Sequence, residues 1–225
     1  MINWAVLHSA MTVADLQKWK ACNDGYEALR DGMGWPKANL DDQDPGMTFT
    51  LRDVLEKGRG IEDAVWAMRC LPDGADPAVR IFAARCAARV CHLSDDPRVW
   101  EAIEAAVKFA AGDLDADGLA AARSAAMSVR SAAMSAMSAW SAADDAAWWS
   151  ADDAARSAAD AAMSAADADD AARYAAWSAR SADDADDAAW SAAWSAQESD
   201  LIELLESPPD DPMAWVMAAR QGALR

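Results

Sequence analysis

The chain has 225 residues, of which 53% are hydrophobic, and 38 acidic side chains against 20 basic ones give it a net charge of −18. That length holds one large or two small domains with ample apolar material for a core. The acidic excess argues against direct binding of nucleic acid or of an anionic membrane, and for attraction to basic surfaces. Four dispersed cysteines, Cys22, Cys70, Cys86 and Cys91, fit reduced intracellular thiols better than a disulfide framework. The opening residues, MINWAVLHSAMTV, lack the basic start and apolar run of a secretion signal. No stretch offers the roughly 18 consecutive apolar residues of a membrane span. A cytoplasmic protein is expected.

Residues 1–112 read as amphipathic helices with explicit start and stop signals. Thr12 and Asp15 form a capping box ahead of Leu16, Trp19, Tyr26 and Leu29, with Gly32 as the expected stop. A Gly/Pro/Asp-rich loop follows from Gly34 to Met47. Thr50 and Asp53 make a second capping box, for a short helix ending at Gly58, and a third helix runs from Ile61 to about Cys70. Asp76-Pro77 and Asp96-Pro97 each place an N-cap before a proline at the first helical position. The helix after Pro77 puts Val79, Phe82, Ala83, Cys86 and Val90 on one face; the helix after Pro97 does the same with Val99, Ile103, Ala106, Val107 and Ala110. No alternating strand pattern of useful length occurs, so an all-α fold is expected.

Beyond the acidic linker AGDLDADG the composition changes. From Ala121 to Ser195 the chain is almost wholly Ala, Ser, Asp, Trp, Met and Arg, in 21 short units that cover 75 residues. The mean of about 3.6 residues per unit is the α-helical repeat. It lays an alanine stripe, including Ala125, Ala132, Ala139, Ala146, Ala154 and Ala161, along one helix direction. Ser150 and Ser181 each begin a Ser-x-x-Asp sequence that can start a new helix. Three antiparallel helices of about 30 residues are therefore expected, in a bundle. The alternative is one helix on the order of 130 Å long, which needs a second copy to cover its stripe. Leu201, Ile202, Leu204 and Leu205 follow, SPPDDP ends that helix, and Asp211-Pro212 opens a last one bearing Met213, Trp215, Val216 and Met217. The expected organisation is an N-terminal helical domain at 1–112, the alanine-rich segment at 113–206 and a short C-terminal helix at 207–225.

Charge follows the same division. Residues 1–112 carry 17 acids and 13 bases, residues 113–206 carry 19 and 5, and residues 207–225 carry two of each. Catalytic chemistry finds little support. Two histidines and no Gly-flanked serine suggest no nucleophilic triad, and phosphate loops and dinucleotide fingerprints are absent. Cys86, Cys91 and His92 are the only local hint of a metal site, but positions 86 and 91 lie about 140° apart on a helix, poor geometry for one ion. Neither catalytic nor metal residues are assigned, and no cofactor is expected. The carboxylate pairs serve better as a solvated helix face than as acid/base groups.

What remains is a surface of regularly spaced carboxylates with embedded aromatics. Some of those rings fill gaps between helices and others project beside the Asp pairs. Partner binding is assigned to Asp144, Asp145, Trp148, Trp149, Asp152, Asp153, Asp169, Asp170, Trp177, Asp183, Asp184, Asp186, Asp187 and Trp190. A row of carboxylates mimics a row of phosphates, so a groove lined by Lys and Arg in a nucleic-acid-binding effector is a fitting partner, with exposed rings as binding hot spots.

The blocks LQKWKACNDGYEALR, LRDVLEKGRGIEDAVWAMR, AVRIFAARCAARV and SDDPRVWEAIEAAVKFAAGDLDADGLAAARSAA, within residues 15–126, resemble the alanine-rich, all-helical immunity-protein family of bacterial and phage genomes. The resemblance implies a protein that neutralises a toxin by binding it, without catalysis. The residues themselves point to a non-enzymatic acidic inhibitor of a basic protein, of the phage anti-defence or anti-CRISPR type. The alternatives are an immunity protein for a cognate toxin and an assembly protein pairing through a long alanine-stripe helix.

Overall fold

The computed structural model describes residues 2–91, 94, 96–140 and 186–223. These form nine α-helices: α1 (Val13–Lys18), α2 (Asn23–Met33), α3 (Leu51–Lys57), α4 (Ile61–Ala67), α5 (Asp76–Val90), α6 (Pro97–Ala111), α7 (Ala116–Trp140), α8 (Asp186–Glu206) and α9 (Pro212–Ala223). Two-residue strands β1 (Met11–Thr12) and β2 (Thr48–Phe49) pair antiparallel, Met11 opposite Phe49 and Thr12 opposite Thr48. The fold is mostly helical rather than purely so.

The small sheet has a local cause. Both strands run straight into a helix start: Thr12 caps α1 and Thr50 caps α3, each in extended conformation and each with the full reciprocal box to the Asp three residues on. A side-chain N-cap residue is typically extended, as Thr12 and Thr50 are. Two helix starts lying side by side therefore leave two short extended segments with backbone groups to pair. Such pairing leaves no alternating pattern for a sequence to show.

Helix α5 is the hub. It packs against α6, α8 and α9, and α7 packs in turn on α6. The expected face is buried, but so are Ala78, Ile81, Ala84, Ala87 and Ala88 on its other sides. A helix buried nearly all round carries no amphipathic stripe. Its alanines let the neighbouring axes approach closely. On α6 the expected residues Val99, Ile103, Ala106, Val107 and Ala110 are all buried. On α7, Ala126 is fully buried and its stripe neighbour Ala125 is half-buried; the side chains of the other stripe residues lie outside the described part.

Three boundaries differ from expectation. The single helix expected from Thr12 to Gly32 is two, because the chain turns at Lys20, whose φ of 56° is left-handed; Trp19 then stands 46% exposed instead of joining the core. Helix α2 runs through Gly32 and ends at Gly34, whose φ of 69° makes the left-handed cap. Gly32 is needed for packing: a Cβ there would lie 2.2 Å from the Lys57 carbonyl oxygen. Asp76 is the first residue of α5 rather than its cap, and its carboxylate accepts from Arg80 one turn on, at 2.9 Å. Asp96 does cap α6, accepting from the Arg98 amide.

Burial pushes the Asp53 carboxyl up, but hydrogen bonds from Lys57 and Thr50 outweigh it and hold the group below its ordinary value of 3.8. The stabilisation is therefore complete above that value and is lost as pH falls through the lowered one. Thr50→Ala should cost about 1 kcal/mol at neutral pH. In urea melts repeated down to acid pH, the deficit should shrink once Asp53 is protonated in both proteins.

Candidate functional site

The alanine-rich segment leaves the core at α7 and returns to it at α8. Its return is fixed by a buried electrostatic contact. Arg85 and Arg89, one turn apart on α5, both reach Asp200 of α8: Arg85 Nε lies 2.7 Å from Oδ1, and Arg89 donates to both carboxylate oxygens at 2.6 Å. The Asp200 side chain is 2% exposed. Hydrogen bonding to Asp200 raises the Arg89 pKa, so the guanidinium stays charged at any pH the fold survives.

Helix α9 completes the cluster. The Arg85 guanidinium stacks 4.0 Å from the centre of the Trp215 ring and donates to the Trp215 carbonyl oxygen. The Trp215 indole N–H donates to Glu203 at 2.8 Å, and Glu203 also accepts from Arg85 at 3.2 Å. No buried polar atom of this group is left without a partner, as burial demands. The sequence carries a signal for it. Three arginines interrupt the apolar AVRIFAARCAARV run, and Asp200 opens the Leu201–Leu205 cluster. Buried basic residues require a buried acid.

Most of the residues assigned to partner binding lie outside the described residues: Asp144, Asp145, Trp148, Trp149, Asp152, Asp153, Asp169, Asp170, Trp177, Asp183 and Asp184. Asp186, Asp187 and Trp190 fall on the first turns of α8. One aromatic of the segment is placed fully: Trp194 is half-buried and packs against the core.

The cysteines divide by exposure. Cys70, Cys86 and Cys91 are buried and Cys22 is exposed. Burial pushes the Cys70 thiol up to about 12 and Cys91 to about 11, and it raises Cys86 well above the usual range. Among the described residues no three of His, Cys, Asp and Glu come together as a metal site. Nor is any helix among them long and apolar enough to cross a membrane.

A second feature escaped the sequence reading. Where α1, α2, α4 and α8 meet, a cleft of about 460 Å³ opens beside Cys22. At its rim Arg59 grips the Asp63 carboxylate through Nε and Nη2, the closest approach being 2.7 Å, and Nη2 lies 3.6 Å from the Cys22 sulfur. Gly25 lets the rim close to this spacing, since a Cβ there would meet Asp63 Oδ1 at 3.0 Å and the Cys22 sulfur at 3.2 Å. Gly25 lies on α2 and Asp63 on α4, while Cys22 and Arg59 lie in the connections that precede those helices; only the Arg59–Asp63 pair has a helical spacing.

No family model matches the chain, and neither a curated protein nor a solved structure matches it.

Two outcomes test this geometry. Asp200→Asn leaves two guanidiniums facing a neutral amide and should cost about 3–5 kcal/mol in urea unfolding. With iodoacetamide at neutral pH, Cys22 should react readily in the folded protein, while the other three thiols become reactive only once denaturant opens the core.

Proposed function

We propose that the chain is a non-enzymatic binding protein that inhibits a basic partner through its acidic helical segment, residues 113–206, in the manner of an anti-defence or anti-CRISPR-type inhibitor covering a nucleic-acid-binding surface. The observation that carries this reading is the concentration of charge: 19 acids against 5 bases in that segment, with the remainder close to balance. A surface of that sign draws in basic partners and repels nucleic acid itself.

The two roots of the segment support a folded-back arrangement. Ala126 is buried where α7 packs on α6, and Asp200 is clamped to α5, with α5 and α6 themselves in contact. An unbroken helix from residue 126 to residue 200 would hold those two points roughly 110 Å apart. Helix α5 spans only about 22 Å at the same rise per residue. Both roots on one small core favour the antiparallel bundle over the rod, and hence an inhibitor over an assembly protein built on helix pairing. Fixing a binding surface at both ends also lowers the ordering cost of association.

The resemblance of residues 15–126 to immunity proteins favours a second reading, in which the partner is a toxin and the interface includes the N-terminal helices. The two readings separate on charge. Replacing Asp152, Asp153, Asp183 and Asp184 with Asn keeps size and polarity but removes four charges. Under the acidic-mimic reading, capture of the partner from a lysate of the source cells should fall about tenfold or more. It should weaken as salt rises and be competed by duplex nucleic acid. The melting temperature should stay close to that of the parent. Undiminished capture at physiological salt overturns the mimic reading in favour of the immunity one.

A further inference from the structure

The cleft beside Cys22 is within the size range of small-molecule sites. Leu16, Leu29 and Val54 line it and are buried, and the half-buried rings of Trp66 and Trp194 line it as well. Its charged lining comprises Lys20, Arg59 and Arg69 with Glu62 and Asp63. Asp63 takes up the charge of Arg59. Lys20 is exposed and has no ion-pair partner among the described residues. Helix α2 opens at the same rim, its N-cap Cys22 making no side-chain cap and Asp24 standing in its first turn, so the helix end adds little to the charge of Lys20.

Lys20 is also in an unusual conformation for its type. Three helices of the fold end in the same Schellman arrangement, with one bond closing five residues and one closing three. Helix α2 ends with Trp35 donating to Arg30 and Gly34 to Asp31, and α6 ends with Asp113 donating to Lys108 and Gly112 to Phe109. Both place glycine at the left-handed position, as the motif prefers. Helix α1 ends with Ala21 donating to Leu16 and Lys20 to Gln17. There the left-handed residue, at φ 56°, is a lysine. Side chains other than glycine are strained at such angles, so the chain keeps a cation at the cleft mouth against local conformational preference.

We propose that this cleft binds a small organic anion, with an aromatic or branched apolar body lying against Trp66 and Trp194 and its acidic group at Lys20. Among the described residues Trp194 is the one member of the acidic segment that lines the cleft, so the site needs α8 docked on the core but does not need the segment's partner.

The test uses the full chain and two fluorescent probes of nearly equal shape, 8-anilino-1-naphthalenesulfonate and its uncharged parent N-phenyl-1-naphthylamine. Both should bind with saturable, single-site titrations. Lys20→Gly should weaken the sulfonate about three- to fivefold while leaving the uncharged probe within about twofold. The same variant should melt about 2–4 °C higher, because glycine relieves the backbone. Lys20→Arg should restore sulfonate binding. Ala21→Trp, which fills the cleft, should abolish both titrations; if it does not fold, alkylating Cys22 in the folded protein supplies the block. Equal losses of the two probes in Lys20→Gly, or no loss of either, overturn the proposal. So does binding that survives the filled or alkylated cleft.

Discussion

Asp200 sits between two guanidiniums in a place from which water is almost excluded, and the position of the C-terminal helices depends on that contact. The residues it joins are more than a hundred positions apart in the chain. An unpaired charge buried there would cost several kcal/mol, so α8 has essentially one place where it can dock on α5. Apolar packing alone is less particular: Leu201, Leu204 and Leu205 could slide by a helical turn and still be buried. A buried ion pair of this kind adds little net stability over a hydrophobic substitute, but it fixes register. Glu203 and Trp215 then extend the constraint to α9 through the same guanidinium. One carboxylate therefore sets where the alanine-rich segment rejoins the core.

Much of this fold was legible because its helix starts are written locally. Thr12 with Asp15, Thr50 with Asp53, Asp96 before Pro97 and Asp211 before Pro212 each satisfy helix-end amides with a side chain a few residues away. A cap of this kind needs no knowledge of the rest of the molecule. What failed to show was decided at longer range. Gly32 resembles a helix stop but serves the close approach of α2 to α3. The all-round burial of α5 erases the stripe that periodicity detects. The turn at Lys20 was invisible because the residue that usually marks such a turn is glycine. The candidate sites divide in the same way. The carboxylate rows are a repeating pattern and are readable as one, whereas the cleft is assembled from Leu16, Trp66 and Trp194 on three helices and from Cys22 and Arg59 in the connections between helices. Such a set has no spacing to recognise.

The composition of residues 141–185 explains why firm roots matter. That stretch contains no Leu, Ile, Val or Phe; its larger apolar side chains are Trp148, Trp149, Met163, Tyr174 and Trp177. An alanine side chain removes little apolar surface from water, at about 25 cal/mol per Å². Ordering the backbone costs on the order of 1–2 kcal/mol per residue. Repulsion among neighbouring carboxylates opposes compaction further. A sequence of this kind gains less from folding on itself than an ordinary helical hairpin does. Tethering both ends to one core reduces the freedom that must be lost, because the chain between two fixed points already samples a smaller space. The Arg85–Asp200–Arg89 contact at one end and the burial of Ala126 at the other supply two such fixed points. Asp200 thus belongs both to the acidic segment and to the contact that docks it on the core.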